Sequence, residues 1–526
     1  MATYGTEQGG YYGGGGGGGL QPPAGGNPYA YQPQPTTSYP PPQGQYPPPQ
    51  GQYLPDQQWA PSSPPPKEFG APGGGEYYEE SPLQPAEKFQ PASGYRDFAF
   101  YIAFVVHLLA AGAIFGIGWF TFASGKGADN SEGKIINEDD LDKTTTFHIF
   151  LTAAVCAAVA ALSAGLWLVM FKYFARQLIY LSIGFSVLFT AAIAVFSFIY
   201  GNIWAGVIFA IFAVISALFF WLWRSRIPFA VEMLKTVSVL VQNYPGTTTV
   251  AFASLILQFG WFVFWSVAIF LVQQYTPVLA YVLSIYLLFS FYWVSQVIKN
   301  VVHVTAAGVF ASWYFLHGTV GVPPNPTLGS FKRATTTSFG SICFGSLIVA
   351  LLRTLRMIFR SFRQNSDNIA IVILAFIGEC IVACLDQLLE YFNQYAYAQI
   401  AIYGKSYCRA AKDTWHLVHS HGIQAIINDN IIGSVLSMAC LASAVVTGVL
   451  GGAMIYALED DYYIPVGIIC GLIGFVMVMQ VLEIVESAVT TIFVCFAEEP
   501  EALQRNSPEL YHKFQTTYGN ICDFLV

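Results

Sequence analysis

Charged residues are scarce in this chain of 526 residues. Only 10% of the residues are Asp, Glu, Lys or Arg, whereas 54% are hydrophobic and 16% are aromatic. Soluble proteins carry about 25% charged residues, so the composition excludes a soluble protein and predicts a membrane protein. A basic stripe for phosphates is not expected either, because the formal net charge is −8. We therefore predict no binding to nucleic acid.

Signatures of catalysis and metal binding are absent from the sequence as well. The chain has no phosphate-binding loop ending in Lys-Ser or Lys-Thr, no His-Glu-x-x-His motif and no nucleophile elbow. Cys380 and Cys384 lie one helical turn apart, but no third ligand of suitable spacing accompanies them. The sequence therefore predicts a protein that is not an enzyme, with no cofactor and no metal site.

The first 95 residues lack the apolar segments that a folded core needs. They are dominated by Gly, Pro, Gln and Tyr, and PPPQGQY occurs twice between residues 40 and 53. Such a segment buries too little apolar surface to offset the entropy lost on ordering it. We predict that residues 1–95 form a disordered cytosolic tail and that residues 96–526 form a transmembrane transporter domain with a short cytosolic C-terminus.

Long apolar runs dominate the remainder of the chain. About 20 such residues suffice to span a bilayer, and ten runs reach that length: 98–122, 147–170, 178–200, 205–223, 249–273, 278–310, 338–360, 369–392, 431–456 and 463–494. They predict an all-α polytopic membrane protein with about ten transmembrane helices. The runs 278–310 and 463–494 exceed a bilayer, so they are expected to be tilted, broken or extended into water. Glycine pairs at 112 and 116, 448 and 452, and 467 and 471 predict close helix contacts.

Charges between the runs predict how the protein lies in the membrane. The loop 124–146 holds six acids and three lysines, whereas Lys172, Arg176, Arg224 and Arg226 flank the ends of later runs. The positive-inside rule places basic loops in the cytosol. We therefore expect the acidic loop outside and, with ten spans, both termini in the cytosol.

A row of arginines conflicts with this orientation. Four arginines between 353 and 363 share one helix face at an end that the alternation of spans places outside. Either the seventh and eighth runs do not both span the membrane, or the arginines are neutralised by partners. Arg353 precedes a hairpin midpoint near Ser366 by 13 residues, and Glu379 follows it by 13. This register predicts an ion pair between Arg353 and Glu379 with a structural or gating role.

Acids inside the apolar runs are the candidate groups for binding a substrate. Asp386 and Glu390 lie one helical turn apart on the face that also carries Glu379. Ionised groups near the bilayer centre cost several kcal/mol and occur mainly beside a cavity or a partner. The alternative is that Asp386 and Glu390 lie near the membrane surface and are simply hydrated. Glu483 and Glu486 of the tenth run form a second pair of candidates.

Aromatic residues of the fifth and sixth runs complete the predicted site. Trp261, Trp265, Tyr292 and Trp293 are the candidates, because ring faces attract a quaternary ammonium within about 6 Å. Each ring taken singly also fits an interfacial belt or a packing position. Together with the acids, the rings predict a site for a small cationic solute.

Five blocks of sequence resemble one known family. They are the basic turn 224–230, AAGVFASWYF at 306–315, SFGSICFGSLI at 338–348, the segment 393–408 with AIYGK, and CFAEE at 495–499. These blocks resemble the choline-transporter-like (CTL) proteins, in particular their fungal pH-nine-sensitive branch. The resemblance implies ten helices, cytosolic termini and transport of choline or a related amine. Thr490 stands where the family carries an acid, which is a departure from its pattern.

Two functional hypotheses follow from the sequence. The first is a multi-pass protein of the cell membrane that transports a small organic cation, choline-like, across the plasma membrane. Its partners would be the lipid bilayer and the solute. The second is a membrane scaffold that recruits protein adaptors through the tail of residues 1–95. Deletion of the tail separates them, because a transporter should retain transport.

Overall fold

The computed structural model describes residues 94–124, 143–317, 323–458 and 462–518. These residues contain helices and turns but no strand. The α-helices are α1 Phe98–Ala123, α2 Lys143–Ile199, α3 Ile203–Trp223, α4 Ile227–Asn243, α5 Pro245–Val272, α6 Pro277–Leu316, α7 Pro326–Thr335, α8 Phe339–Asn365, α9 Ile369–Tyr403, α10 Tyr407–Ala457, α11 Tyr463–Glu498, α12 Pro500–Asn506 and α13 Pro508–Tyr518. Within these ranges, nine helices are long and apolar enough to cross a membrane. The predicted tail lies outside them except for its last two residues.

Helix α2 explains why ten predicted runs correspond to nine long helices. Its apolar part, Leu151–Ile199, has 49 residues and a length of about 74 Å at 1.5 Å per residue. A hydrocarbon core is about 30 Å thick. The helix bends at Phe174, where φ is −119° and ψ is 17°. The two arms correspond to the predicted runs 147–170 and 178–200, so one kinked helix contains both.

Helix α3 illustrates how the outer helices meet lipid. All 21 of its residues are uncharged. In the 18-residue segment of this helix with the highest hydropathy, only 6% of the residues are buried inside the protein. A helix satisfies its own backbone hydrogen bonds, so it is stable in hydrocarbon. Exposed side chains such as Trp204 and Val214 therefore provide the lipid-facing surface.

Long stretches of buried residues occur where the long helices continue beyond membrane length. Every residue of α6 from Val302 to Leu316 is buried, and so are ten of the 17 residues of the amphipathic helix α4. Phe514 of α13 packs between Phe229 and Phe496, with ring centroids at 4.6 and 3.9 Å. The two longest predicted runs are thus unbroken helices whose ends join a bundle with α4, α12 and α13.

The glycine pairs of α10 and α11 bring the two backbones into contact, as the sequence predicts. A Cβ added to Gly467 would lie 3.1 Å from the carbonyl oxygen of Gly448 and 3.3 Å from Cα of Gly452. The first glycine pair behaves differently. Around Gly112 and Gly116, no atom of the described chain lies within 4 Å of an added Cβ. The prediction of a close helix contact at this pair was wrong for the described part of the chain, because both glycines face open space.

We expect Gly467→Val to destabilise the protein by about 2 kcal/mol, because a larger side chain forces two tightly packed backbones apart. Thermal unfolding of the detergent-solubilised protein measures this change. Gly116→Val is the matched control, since its side chain enters open space. Equal unfolding temperatures for the two variants would contradict the α10–α11 contact.

The segment that leads into α1 is held between α8 and α10. Asp97 Oδ2 accepts hydrogen bonds from Ser341 Oγ and from the backbone N–H of Tyr407, both at 2.7 Å. Arg96 Nε donates to the carbonyl oxygen of Gly404 at 3.1 Å. Gly404 has a φ of 58°, which glycine adopts without strain. The AIYGK block therefore ends in the turn between α9 and α10 and fixes the entry of the chain into α1.

Candidate functional site

Three acids and two bases from four helices form a connected network of ion pairs. Lys299 Nζ of α6 lies 3.0 Å from Glu390 of α9 and 3.4 Å from Glu483 of α11. Arg353 of α8 reaches the second oxygen of Glu390 at 2.6 Å and Asp386 at 3.3 Å. Each base therefore bridges two carboxylates, and Glu390 is shared by both bases.

Helical spacing places the acids of each helix on a common face. Asp386 and Glu390 are four residues apart in α9, and Glu483 and Glu486 are three apart in α11. Glu486 accepts a hydrogen bond from the side-chain amide of Gln394 at 3.0 Å. With Glu486 included, four acids face the two bases Lys299 and Arg353. The group has a formal charge of −2 when all of its members are ionised.

A cavity of about 790 Å³ opens beside this network, between α2, α5, α6, α10 and α11. Lys299, Glu483 and Glu486 supply its charged side chains. Three phenylalanines, Phe185, Phe189 and Phe475, supply ring surface, five serines and two glutamines supply neutral polar groups, and most of the remaining lining residues are apolar. Sites for small molecules typically have volumes of about 300–1,000 Å³. The cavity therefore has the size and the mixed polarity of a small-molecule site.

A buried layer of hydrogen bonds lies directly behind the charged groups. His303 Nε2 donates to the backbone oxygen of Gln394 at 3.0 Å, since a carbonyl can only accept. In the neutral ring the other nitrogen, Nδ1, carries no hydrogen and accepts from Ser487 Oγ at 2.6 Å. One turn earlier on α6, Asn300 donates to Ser346 at 2.9 Å. These bonds fix the face of α6 that presents Lys299 to the acids.

The structure corrects the ion pair expected between Arg353 and Glu379. Glu379 contacts Arg363 Nε at 2.9 Å, while Arg353 contacts Asp386 and Glu390. The register count aligned Cα atoms, but long side chains in a helix lean towards its N-terminus. Arg353 therefore leans away from the hairpin turn and meets acids further along α9. Asp386 is only 5% exposed, which also rules out simple hydration of this acid.

The four aromatic candidates make packing contacts and do not line the cavity. Trp293 Nε1 donates to a backbone carbonyl of α8 at 3.1 Å, and Trp265 Nε1 donates to one of α6 at 2.9 Å. Trp261 stacks on a phenylalanine of its own helix with ring centroids 5.0 Å apart. Tyr292 packs in the same apolar cluster as Trp261 and Trp293. The rings that line this cavity are those of the three phenylalanines, and a cage formed by the four candidates stays a prediction.

Sequence reasoning did not include Lys299, Gln394 or His303 in the site. Lys299 had a usable signal, because it is the one charged residue in the run 278–310. A lone base in an apolar run is costly and indicates an acid on another helix. Gln394 and His303 had no comparable signal, since neutral polar residues are common in such helices.

Comparison with known proteins identifies the family. The sequence model described as "Plasma-membrane choline transporter" matches residues 207–501, which is more than half of the chain. A CTL-like protein of Dictyostelium discoideum is 39% identical over 327 residues, 62% of this chain and 58% of that relative. Protein PNS1 of Cryptococcus neoformans is 32% identical over 481 residues, 85% of this chain and 87% of the relative. Protein PNS1 of Eremothecium gossypii is 31% identical over 490 residues, 87% of both chains. The resemblance noted from the sequence blocks is thus confirmed, and the chain belongs to the choline-transporter-like family of multi-pass membrane proteins.

Proposed function

We propose that this protein carries a small organic cation of the choline type through the cavity between α2, α5, α6, α10 and α11. The observation that carries the proposal is the excess of acid at the cavity wall, with Glu483 and Glu486 beside a ring surface. A net negative site attracts a cation, and aromatic faces bind a quaternary ammonium in a desolvated setting. Glu483 and Glu486 would thus replace Asp386 and Glu390 as the first groups that the solute meets.

The charged network connects the cavity with the α8–α9 hairpin. Lys299 and Glu483 belong to the cavity wall, whereas Asp386, Glu390 and Arg353 belong to the α8–α9 hairpin. Transport requires that a site be exposed alternately to the two sides of the membrane. A solute that alters the ion pairs at the cavity would also alter the contacts of this hairpin.

The proposal places the protein in the plasma membrane with both termini in the cytosol. The description of the matching family supports the first point. Basic residues support the second, because they accumulate on the cytosolic side of the membrane. Lys172 and Arg176 lie beside the bend of α2, and Arg224 and Arg226 follow the end of α3.

Uptake of labelled choline into vesicles that contain the purified protein tests the proposal. We expect saturable uptake that tetramethylammonium inhibits. The matched competitor is 3,3-dimethyl-1-butanol, which has the shape of choline without its charge and is expected to compete poorly. Uptake no greater than that of empty vesicles would overturn the assignment of a choline-like solute.

A further inference from the structure

Lys299 places an ammonium group inside the acidic wall of the cavity. Its Nζ lies between carboxylates of two helices, 3.0 Å from Glu390 and 3.4 Å from Glu483. The side chain is 34% exposed, and Lys299 is one of the residues that line the cavity. An ammonium group with room to move therefore already occupies a position that suits a cationic solute.

We infer that Lys299 is an internal counter-cation, which occupies the subsite at Glu483 in the empty protein and is displaced when a solute cation binds. The inference rests on the proposed function and assigns a specific role to one residue of the same site. Lysine suits this role because its compact charge sits on a flexible four-carbon stem. Arginine would hold two carboxylates more rigidly through its planar fork.

Displacement leaves no carboxylate of the network without a cation. Glu390 retains Arg353, whose Nη2 lies 2.6 Å from its second oxygen. Glu483 has only Lys299 within 4.0 Å among the bases of the described chain, and the bound solute would take that place. The displaced ammonium keeps its contact with Glu390, which lies 3.0 Å away.

The exchange would change a contact between helices. Lys299 is the base through which α6 contacts the acid of α11 in the described network. When a solute neutralises Glu483, this link is lost while the link between α6 and α9 can remain. Occupation of the cavity would thereby loosen α6 from α11, and the two helices could separate further around a bound cation.

Ligand titration of purified full-length protein tests this inference, with thermal stabilisation as the readout. Choline and tetramethylammonium are the probes. In Lys299→Gln, we expect half-maximal stabilisation at about one tenth of the ligand concentration that the wild type needs. This is the change expected if the Lys299 ammonium occupies the subsite in about nine-tenths of the empty wild-type molecules, because only the remaining tenth can bind the ligand directly. Lys235→Gln is the matched control, because Lys235 pairs with Glu232 at 3.9 Å on α4, outside the cavity lining. An unchanged or higher concentration for Lys299→Gln would overturn the inference.

A second variant keeps the test decisive if Lys299→Gln does not yield folded protein. Lys299→Arg retains the charge and holds the carboxylates more strongly. It is expected to need several times more ligand than the wild type, and a lower requirement would contradict the inference. A wild-type protein that responds to neither probe would overturn the proposed function, and this inference with it.

Discussion

Glu483→Gln is expected to lower choline uptake, measured as kcat/KM, by about 100-fold. The change removes the cavity carboxylate that is only 12% exposed and whose counter-ion is Lys299. A 100-fold loss corresponds to about 2.7 kcal/mol, which is within the range found when one partner of a buried charge pair is removed. Initial rates of uptake into vesicles, at choline concentrations well below saturation, measure the effect.

The control for this experiment is the same substitution at another ion pair. Glu232→Gln changes an acid of α4 that pairs with Lys235 at 3.9 Å and does not line the cavity. It is expected to leave uptake unchanged. Glu483→Gln should still fold, because Lys299 keeps Glu390 at 3.0 Å. If Glu483→Gln takes up choline at the wild-type rate, Glu483 is not part of the transport site.

The fold was largely predictable because few backbone conformations are stable in lipid. Apolar runs of membrane length must form helices in order to satisfy their backbone groups, and all ten runs fall in helices of the structure, to within one residue at their ends. The glycine pairs of α10 and α11 were predictable for a similar reason, since only small residues allow such close contact. The runs 147–170 and 178–200 were separated at the right place, but the sequence did not predict that they join in one helix bent at Phe174.

The site was predictable in its chemistry but not in its partners. Acids in apolar runs indicated charged groups that need neighbours, and Asp386, Glu390 and Glu483 all have them. Which base meets which acid depends on how the helices pack and how the side chains lean. A single sequence does not contain that information. For the same reason the aromatic residues could not be divided between packing and cavity positions.

Arg353→Met is expected to produce the largest loss of stability, about 3–5 kcal/mol, because it leaves a buried acid without its counter-charge. Asp386 is 5% exposed, and Arg353 is the base that contacts it. Glu390 loses one of its two bases and retains Lys299. Thermal and denaturant unfolding in detergent measure the loss. The matched control is Arg363→Met, which leaves one acid without its base, and that acid, Glu379, is 14% exposed against 7% for the side chain of Asp386, so a smaller loss than for Arg353→Met is expected.

Two double-mutant cycles decide which acid Arg353 meets. Combining Arg353→Met with Asp386→Leu should restore much of the stability, because an apolar pair of similar volume can replace a buried ion pair at little cost. Combining Arg353→Met with Glu379→Gln should give additive losses within about 0.5 kcal/mol, since these residues share no contact. The reverse outcome would support the hairpin register counted from the sequence. It would also detach Arg353 from the network that connects the α8–α9 hairpin to the cavity.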